Sequence, residues 1–180
     1  HQLTGTIRNV YNTARVEATG SHAGGITGML RQGTITQAYN RGDIIAASYA
    51  GGIVGYTYKY SVIGYQNYAP NSITNVYSAG TATANTSPGG VIGYDDPASS
   101  GGAQLNARTN LYYDITVIAN YDQVKALKPS TDPSTQGLNS GVMFKDMASK
   151  LPTGFTFKAD ADGYAYYPQL SIFVSNETVT

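Results

Sequence analysis

Two kinds of side chain in this sequence can do chemistry: a sparse set of carboxylates and a large set of tyrosines. General acid–base work needs two carboxylates a few ångströms apart with their pKa values driven apart. Of the eleven acidic residues, Glu17 and Glu177 are the glutamates and the rest are aspartates. Glu17 and Asp43 fall in corresponding segments of two repeats, but at different offsets: Glu17 is six positions after Tyr11, and Asp43 four after Tyr39. Arg15, four positions after Tyr11, is the true counterpart of Asp43. The spacing therefore predicts a stacked Arg15–Asp43 ion pair rather than a catalytic pair.

Metal chemistry has little to work with. The chain has no cysteine, which removes disulfides, thiol catalysis and Cys-based zinc sites. Besides His1, the one histidine is His22. Asp160-Ala161-Asp162-Gly163 places two carboxylates and a glycine as a calcium loop does, but lacks the distal acidic ligand. An ordinary turn is the expectation there, and no cofactor is expected.

The sixteen tyrosines are the better lead. Tyr56, Tyr58 and Tyr60 alternate, so extended backbone puts them on one face, and Tyr65 and Tyr68 follow closely. Such a row suits an aromatic platform for sugar rings or a partner protein. It also suits tyrosines packed on the flank of a scaffold with their hydroxyls wet.

The scaffold is written as a repeat, the first thing to seek in a sequence. Gly24-Gly25-Ile26-Thr27-Gly28, Gly51-Gly52-Ile53-Val54-Gly55 and Gly89-Gly90-Val91-Ile92-Gly93 are near-copies. Each closes a longer unit that opens on Asn9-Val10-Tyr11-Asn12, Gln37-Ala38-Tyr39-Asn40 or Asn75-Val76-Tyr77-Ser78. Tyr11, Tyr39 and Tyr77 anchor the alignment, 28 positions apart (11 to 39) and then 38 (39 to 77). About ten residues are thus inserted after the second Gly-rich segment, where the tyrosine row begins.

Three strand-length segments recur in each unit, separated by turn residues and too short for helices. In the first, alternation predicts Ile7, Asn9 and Tyr11 on one face and Arg8 and Val10 on the other. The fold expected is all-β: a parallel β-helix, or β-solenoid, of about three to four coils. Ile7, Ile35 and Ile73 would stack inside it, as would Ile26, Ile53 and Val91. Glycine at the corners would supply unusual backbone conformations and close approach between coils. The absence of a following helix and of a lysine rules against a phosphate-binding glycine loop.

The units are expected at 6–32, 33–71, 72–104 and a partial 105–113, giving a repeat region over 1–113. Residues 114–180 would form a capping region and exit strand. In it, Met143, Phe144, Met147 and Leu151 share one face of a helix ended by Pro152, and Phe155 and Phe157 alternate in a strand.

Composition narrows the function classes. Eleven basic residues balance eleven acidic ones, and charged residues are 12% of the chain. That leaves no electrostatic grip on nucleic acid. No apolar run is long enough to span a membrane. With histidine at position 1, the chain reads as part of a longer polypeptide with flanking domains.

Gly-Ile-Thr-Gly, Gly-Ile-Val-Gly and Gly-Val-Ile-Gly, with the preceding Asn-Val-Tyr-Asn and Asn-Val-Tyr-Ser, resemble the GLUG repeat motif of bacterial cell-surface proteins. These include large adhesins and regions of IgA1-cleaving metalloproteases. Asn110-Leu111-Tyr112-Tyr113 and Tyr167-Pro168-Gln169-Leu170 extend the likeness into the tail. The resemblance implies a right-handed β-helix and an extracellular location. It implies no proteolysis, because the His-Glu-x-x-His motif is absent. The expectation is a non-catalytic adhesive or stalk module that contacts glycan or an extracellular protein. A carbohydrate-active enzyme, which needs clustered carboxylates in a groove, and a structural spacer of a surface protease are the alternatives.

Overall fold

The structure, a computed structural model, describes residues 5–58, 71–96, 107–117, 135–138, 147–151, 154–156 and 167–173. The first repeat contributes β1 (Thr6–Asn12), β2 (Val16–Ala18), β3 (His22–Gly24) and β4 (Thr27–Leu30). The second contributes β5 (Gly33–Asn40), β6 (Ile44–Ala46), β7 (Tyr49–Gly51) and β8 (Val54–Thr57). The third contributes β9 (Asn71–Ser78), β10 (Ala82–Ala84), β11 (Ser87–Gly89) and β12 (Ile92–Asp95). There follow β13 (Ala107–Asp114), β14 (Thr135–Leu138), a helical turn α1 (Met147–Lys150), β15 (Phe155–Thr156), β16 (Gln169–Leu170) and a 3-10 turn at Ser171–Phe173.

Each repeat lays its strands beside those of the next, in parallel. The sheets run β1-β5-β9-β13-β14, β2-β6-β10, β3-β7-β11 and β4-β8-β12. This is a solenoid-like, all-β parallel stack, as the repeats imply. The expected ladders form. Ile7, Ile35 and Ile73 are in register, and backbone bonds tie Ile26 to Ile53 and Ile53 to Val91.

The repeat carries four strands rather than three, because the Gly-rich segment is split. Gly24, Gly51 and Gly89 end β3, β7 and β11, and the next two residues bend the chain into β4, β8 and β12. What glycine supplies there is room. A Cβ at Gly51 would overlap the Val54 carbonyl oxygen, and one at Gly93 would lie 2.5 Å from the Gly55 carbonyl oxygen in the adjacent unit.

Among the described non-glycine residues, positive φ falls on Asn9 (55°), Gln37 (53°), Asn75 (56°) and Asn110 (54°). These residues occupy the same position in β1, β5, β9 and β13. The left-handed residue breaks strict alternation, and the paired register steps from Arg8↔Thr36 to Val10↔Ala38. As a result Ile35 and Ala38, and likewise Ile73 and Val76, enter the same core with Ile53, Val54, Val91, Ile92 and Leu111. Tyr39 and Tyr77 turn to a different cluster. The expected grouping of Ile7, Asn9 and Tyr11 on one face is therefore corrected. Ile7 and Val10 both pack against the core, and Tyr11 stacks outside it. Asparagine tolerates this conformation better than other side-chain-bearing residues. Asn110 Nδ2 also donates to Asn75 Oδ1 at 2.8 Å, linking neighbouring members of the row.

A buried polar cluster closes one corner. Arg108 takes the register position of Ile73, yet its side chain is only 2% exposed. Its guanidinium donates to both Asp95 carboxylate oxygens, at 3.1 and 2.7 Å, and to Asn71 Oδ1 at 2.7 Å. Thr57 donates to the same Asp95 carboxylate. The paired, hydrogen-bonded geometry is what makes burial of both charges tolerable.

Candidate functional site

Residues that follow the closing glycine of each motif point outward. Met29, Tyr56 and Tyr94 are in register on β4, β8 and β12. Their inward neighbours Val54 and Ile92 are fully buried. Around the preceding corner, His22 and Tyr49 are in register on β3 and β7. Two residues beyond Met29 and Tyr56 come Arg31 and Tyr58, and beyond Tyr94 comes Asp96. Tyr58 N–H donates to the Leu30 carbonyl at 2.9 Å, and Asp96 N–H to the Thr57 carbonyl at 3.3 Å, which carries the stacking one step past the strands.

The rings form one connected array. Tyr56 stacks on Tyr94 (centroids 5.3 Å, interplanar 13°) and His22 on Tyr49 (5.3 Å, 15°). Tyr56 meets His22 edge-on at 5.0 Å and Tyr49 at 5.4 Å. Tyr49 and Tyr94 are 5.2 Å apart, and Tyr58 is 6.4 Å from Tyr56. The Arg31 guanidinium carbon lies 5.5 Å from the Tyr58 ring centroid. All five rings are half-buried, keeping part of each surface in water. Partial burial, then the Asp96 carboxylate and the neighbouring tyrosines, push the Tyr56 hydroxyl up to about 12. It therefore stays protonated, able to donate a hydrogen bond, across the physiological range.

Of the tyrosines expected to form a platform, Tyr56 and Tyr58 belong to this array. Tyr60, Tyr65 and Tyr68 lie outside the described residues, as do Asp160 and Asp162. His22, Tyr49 and Tyr94 join it, and the signal for them was in the sequence. Met29, Tyr56 and Tyr94 each follow a motif glycine, and His22 and Tyr49 each stand two residues before a glycine pair. Reading along the insertion rather than across the repeats hides that two-dimensional pattern.

The other tyrosine row is covered at Tyr39 and Tyr77, while Tyr11 at its end is exposed. Tyr11, Tyr39 and Tyr77 stack at 5.0 and 5.1 Å, with interplanar angles of 7° and 4°. Met147, Leu151, Phe155 and Leu170 of the tail pack with Tyr39, Tyr77 and Tyr112 into one buried cluster. The Tyr77 hydroxyl donates to the Pro168 carbonyl, and burial drives its pKa well above the ordinary tyrosine value.

The carboxylates are dispersed among different partners. Arg15 pairs with Glu17, two residues along the chain, at 2.7 Å rather than with Asp43. Asp43 accepts from the Thr81 hydroxyl (2.6 Å) and backbone N–H (3.1 Å), and these bonds hold its carboxyl below the ordinary aspartate value. Asp95 holds Arg108, and Asp114 accepts from Thr116 and from the Tyr167 hydroxyl. Among the described residues, no group of three or more His, Cys, Asp or Glu is placed to hold a metal ion. No helix of the described residues is long and apolar enough to cross a membrane.

Comparison of the chain with protein-family models, with curated proteins and with solved structures found no match.

Proposed function

We propose that this chain is a non-catalytic binding module, a right-handed β-solenoid of three to four coils from a bacterial cell-surface protein. It serves as an adhesive or stalk element and contacts glycan through the array of His22, Tyr49, Tyr56, Tyr58 and Tyr94. The resemblance of the Gly–hydrophobic–hydrophobic–Gly segments to GLUG repeats supports the surface location.

The observation that carries the binding role is the array itself: five aromatic rings in mutual contact on the outer face of a rigid stack, each partly open to water. Tyrosine presents a flat apolar face and a hydroxyl together. It suits a pyranose, whose C–H face is apolar and whose rim is hydrogen-bonding. The strands fix the ring positions before the ligand arrives, which lowers the ordering cost of binding.

Glycan-array binding of the full chain tests this, beside pull-down on extracellular matrix proteins. Wild type is expected to bind saccharides, and the Tyr56→Ala/Tyr58→Ala double variant to lose them while its unfolding transition stays close to wild type. Saccharide binding left intact in that variant would remove the array from the account. Capture of matrix protein with no saccharide would transfer the surface to a protein partner.

A further inference from the structure

The array is not electrically uniform, and its asymmetry bears on the ligand. The described arginines mostly have committed partners: Arg8 donates to Gln37, Arg15 pairs with Glu17, and Arg108 is buried on Asp95. Arg31 differs. Its guanidinium lies over the Tyr58 ring, its Nε–H points at the Met29 sulfur at 3.5 Å, and no described carboxylate lies within salt-bridge distance of it. A thioether is a weak acceptor. The cation–π contact with Tyr58 keeps the guanidinium on the array while leaving its terminal N–H groups available for a planar, two-oxygen acceptor.

We infer that the ligand is an acidic saccharide whose carboxylate is read by Arg31 while its sugar ring lies on Tyr56 and Tyr58; this rests on the glycan-binding reading above. Backbone pairing sets the order across the units as Arg31, Tyr58, Asp96. The cation therefore stands on the first-repeat side of the ring and a carboxylate on the third-repeat side. A ligand carboxylate is drawn to the Arg31 end, which sets the ligand's direction along the stack. Met29, beside Arg31 and in register with Tyr56, supplies an apolar contact between the charge and the ring platform.

The test measures binding of the full chain to carboxylate-bearing saccharides: homogalacturonan oligosaccharides, hyaluronan fragments and a sialylated oligosaccharide. Each is measured beside the same compound with its carboxylates methyl-esterified. The acidic form of at least one is expected to bind about tenfold or more tighter than its ester, as one charge-assisted contact supplies. Arg31→Gln should bring the acidic form down to the ester's affinity and leave the ester unchanged. Tyr56→Ala should weaken both. Equal affinity for acid and ester, or an equal loss of both in Arg31→Gln, overturns the role of Arg31 while the platform stands. Binding of neither form overturns platform and inference together. Binding of acidic aromatic peptides in place of every saccharide overturns the glycan class.

Discussion

The molecule carries two aromatic rows built by the same device and put to different uses. Tyr11, Tyr39 and Tyr77 stack along β1, β5 and β9; Tyr56 and Tyr94 stack along β8 and β12. In both, the parallel register places identical residues about one strand spacing apart, so the rings meet almost face to face. The difference is what lies over them. The tail seals the inner part of the first row, leaving Tyr77 at 0% and Tyr39 at 5% exposure, while the end ring Tyr11 is 47% exposed. Among the described residues the second row stays half-open, with an arginine and an aspartate at its sides. Among the described residues, what distinguishes the two rows is the tail packed over Tyr39 and Tyr77, not the stacking itself.

The largest effect that could break this contrast comes from the sealed row. Tyr77→Ala removes a fully buried ring and its hydrogen bond to Pro168, and should cost about 3–5 kcal/mol. Equilibrium denaturation reads this. Tyr56→Ala, on the open row, should cost about 1 kcal/mol or less. Equal losses from the two variants would mean that both rows are structural.

A smaller effect tests the turn that separates the rows from the core. Asn75→Val forces a β-branched residue into left-handed backbone and deletes the acceptor for Asn110, for an expected loss of about 1–2 kcal/mol. Asn75→Gly relieves the backbone strain and should cost less. If the valine variant is the more stable of the two, φ at this position is not what sets the strand faces.

The smallest effect is a pH dependence. The Tyr56 pKa is raised in the folded state, so the stability it contributes is fully present below the ordinary tyrosine pKa of about 10 and fades as pH rises through about 12. Tyrosinate absorbance should include a titration near 12 that drops toward 10 on unfolding and is lost in Tyr56→Phe. A titration unaltered by that substitution would assign the shift to another ring.

Much of this organisation was legible in the residues. Repeating Ile7, Ile35 and Ile73 fixed which positions pair, because a parallel stack superimposes equivalent residues. The faces were harder to read. A single left-handed residue at Asn9, Gln37 and Asn75 reverses what period-two alternation implies, and Gln37 is an uncommon residue for it. The expected Arg15–Asp43 ion pair does not form, since Arg15 reaches Glu17 two residues along the chain while Asp43 is held by Thr81. Arg108, standing where the ladder calls for isoleucine, was invisible without the cluster of Asp95, Asn71 and Thr57 around it.

Tyrosine-ring NMR of the full chain, with and without a bound saccharide, tests the central claim most directly. The account predicts that the Tyr49, Tyr56, Tyr58 and Tyr94 resonances shift while those of Tyr39 and Tyr77 stay in place. Shifts confined to Tyr39 and Tyr77, or to rings belonging to neither row, would contradict it.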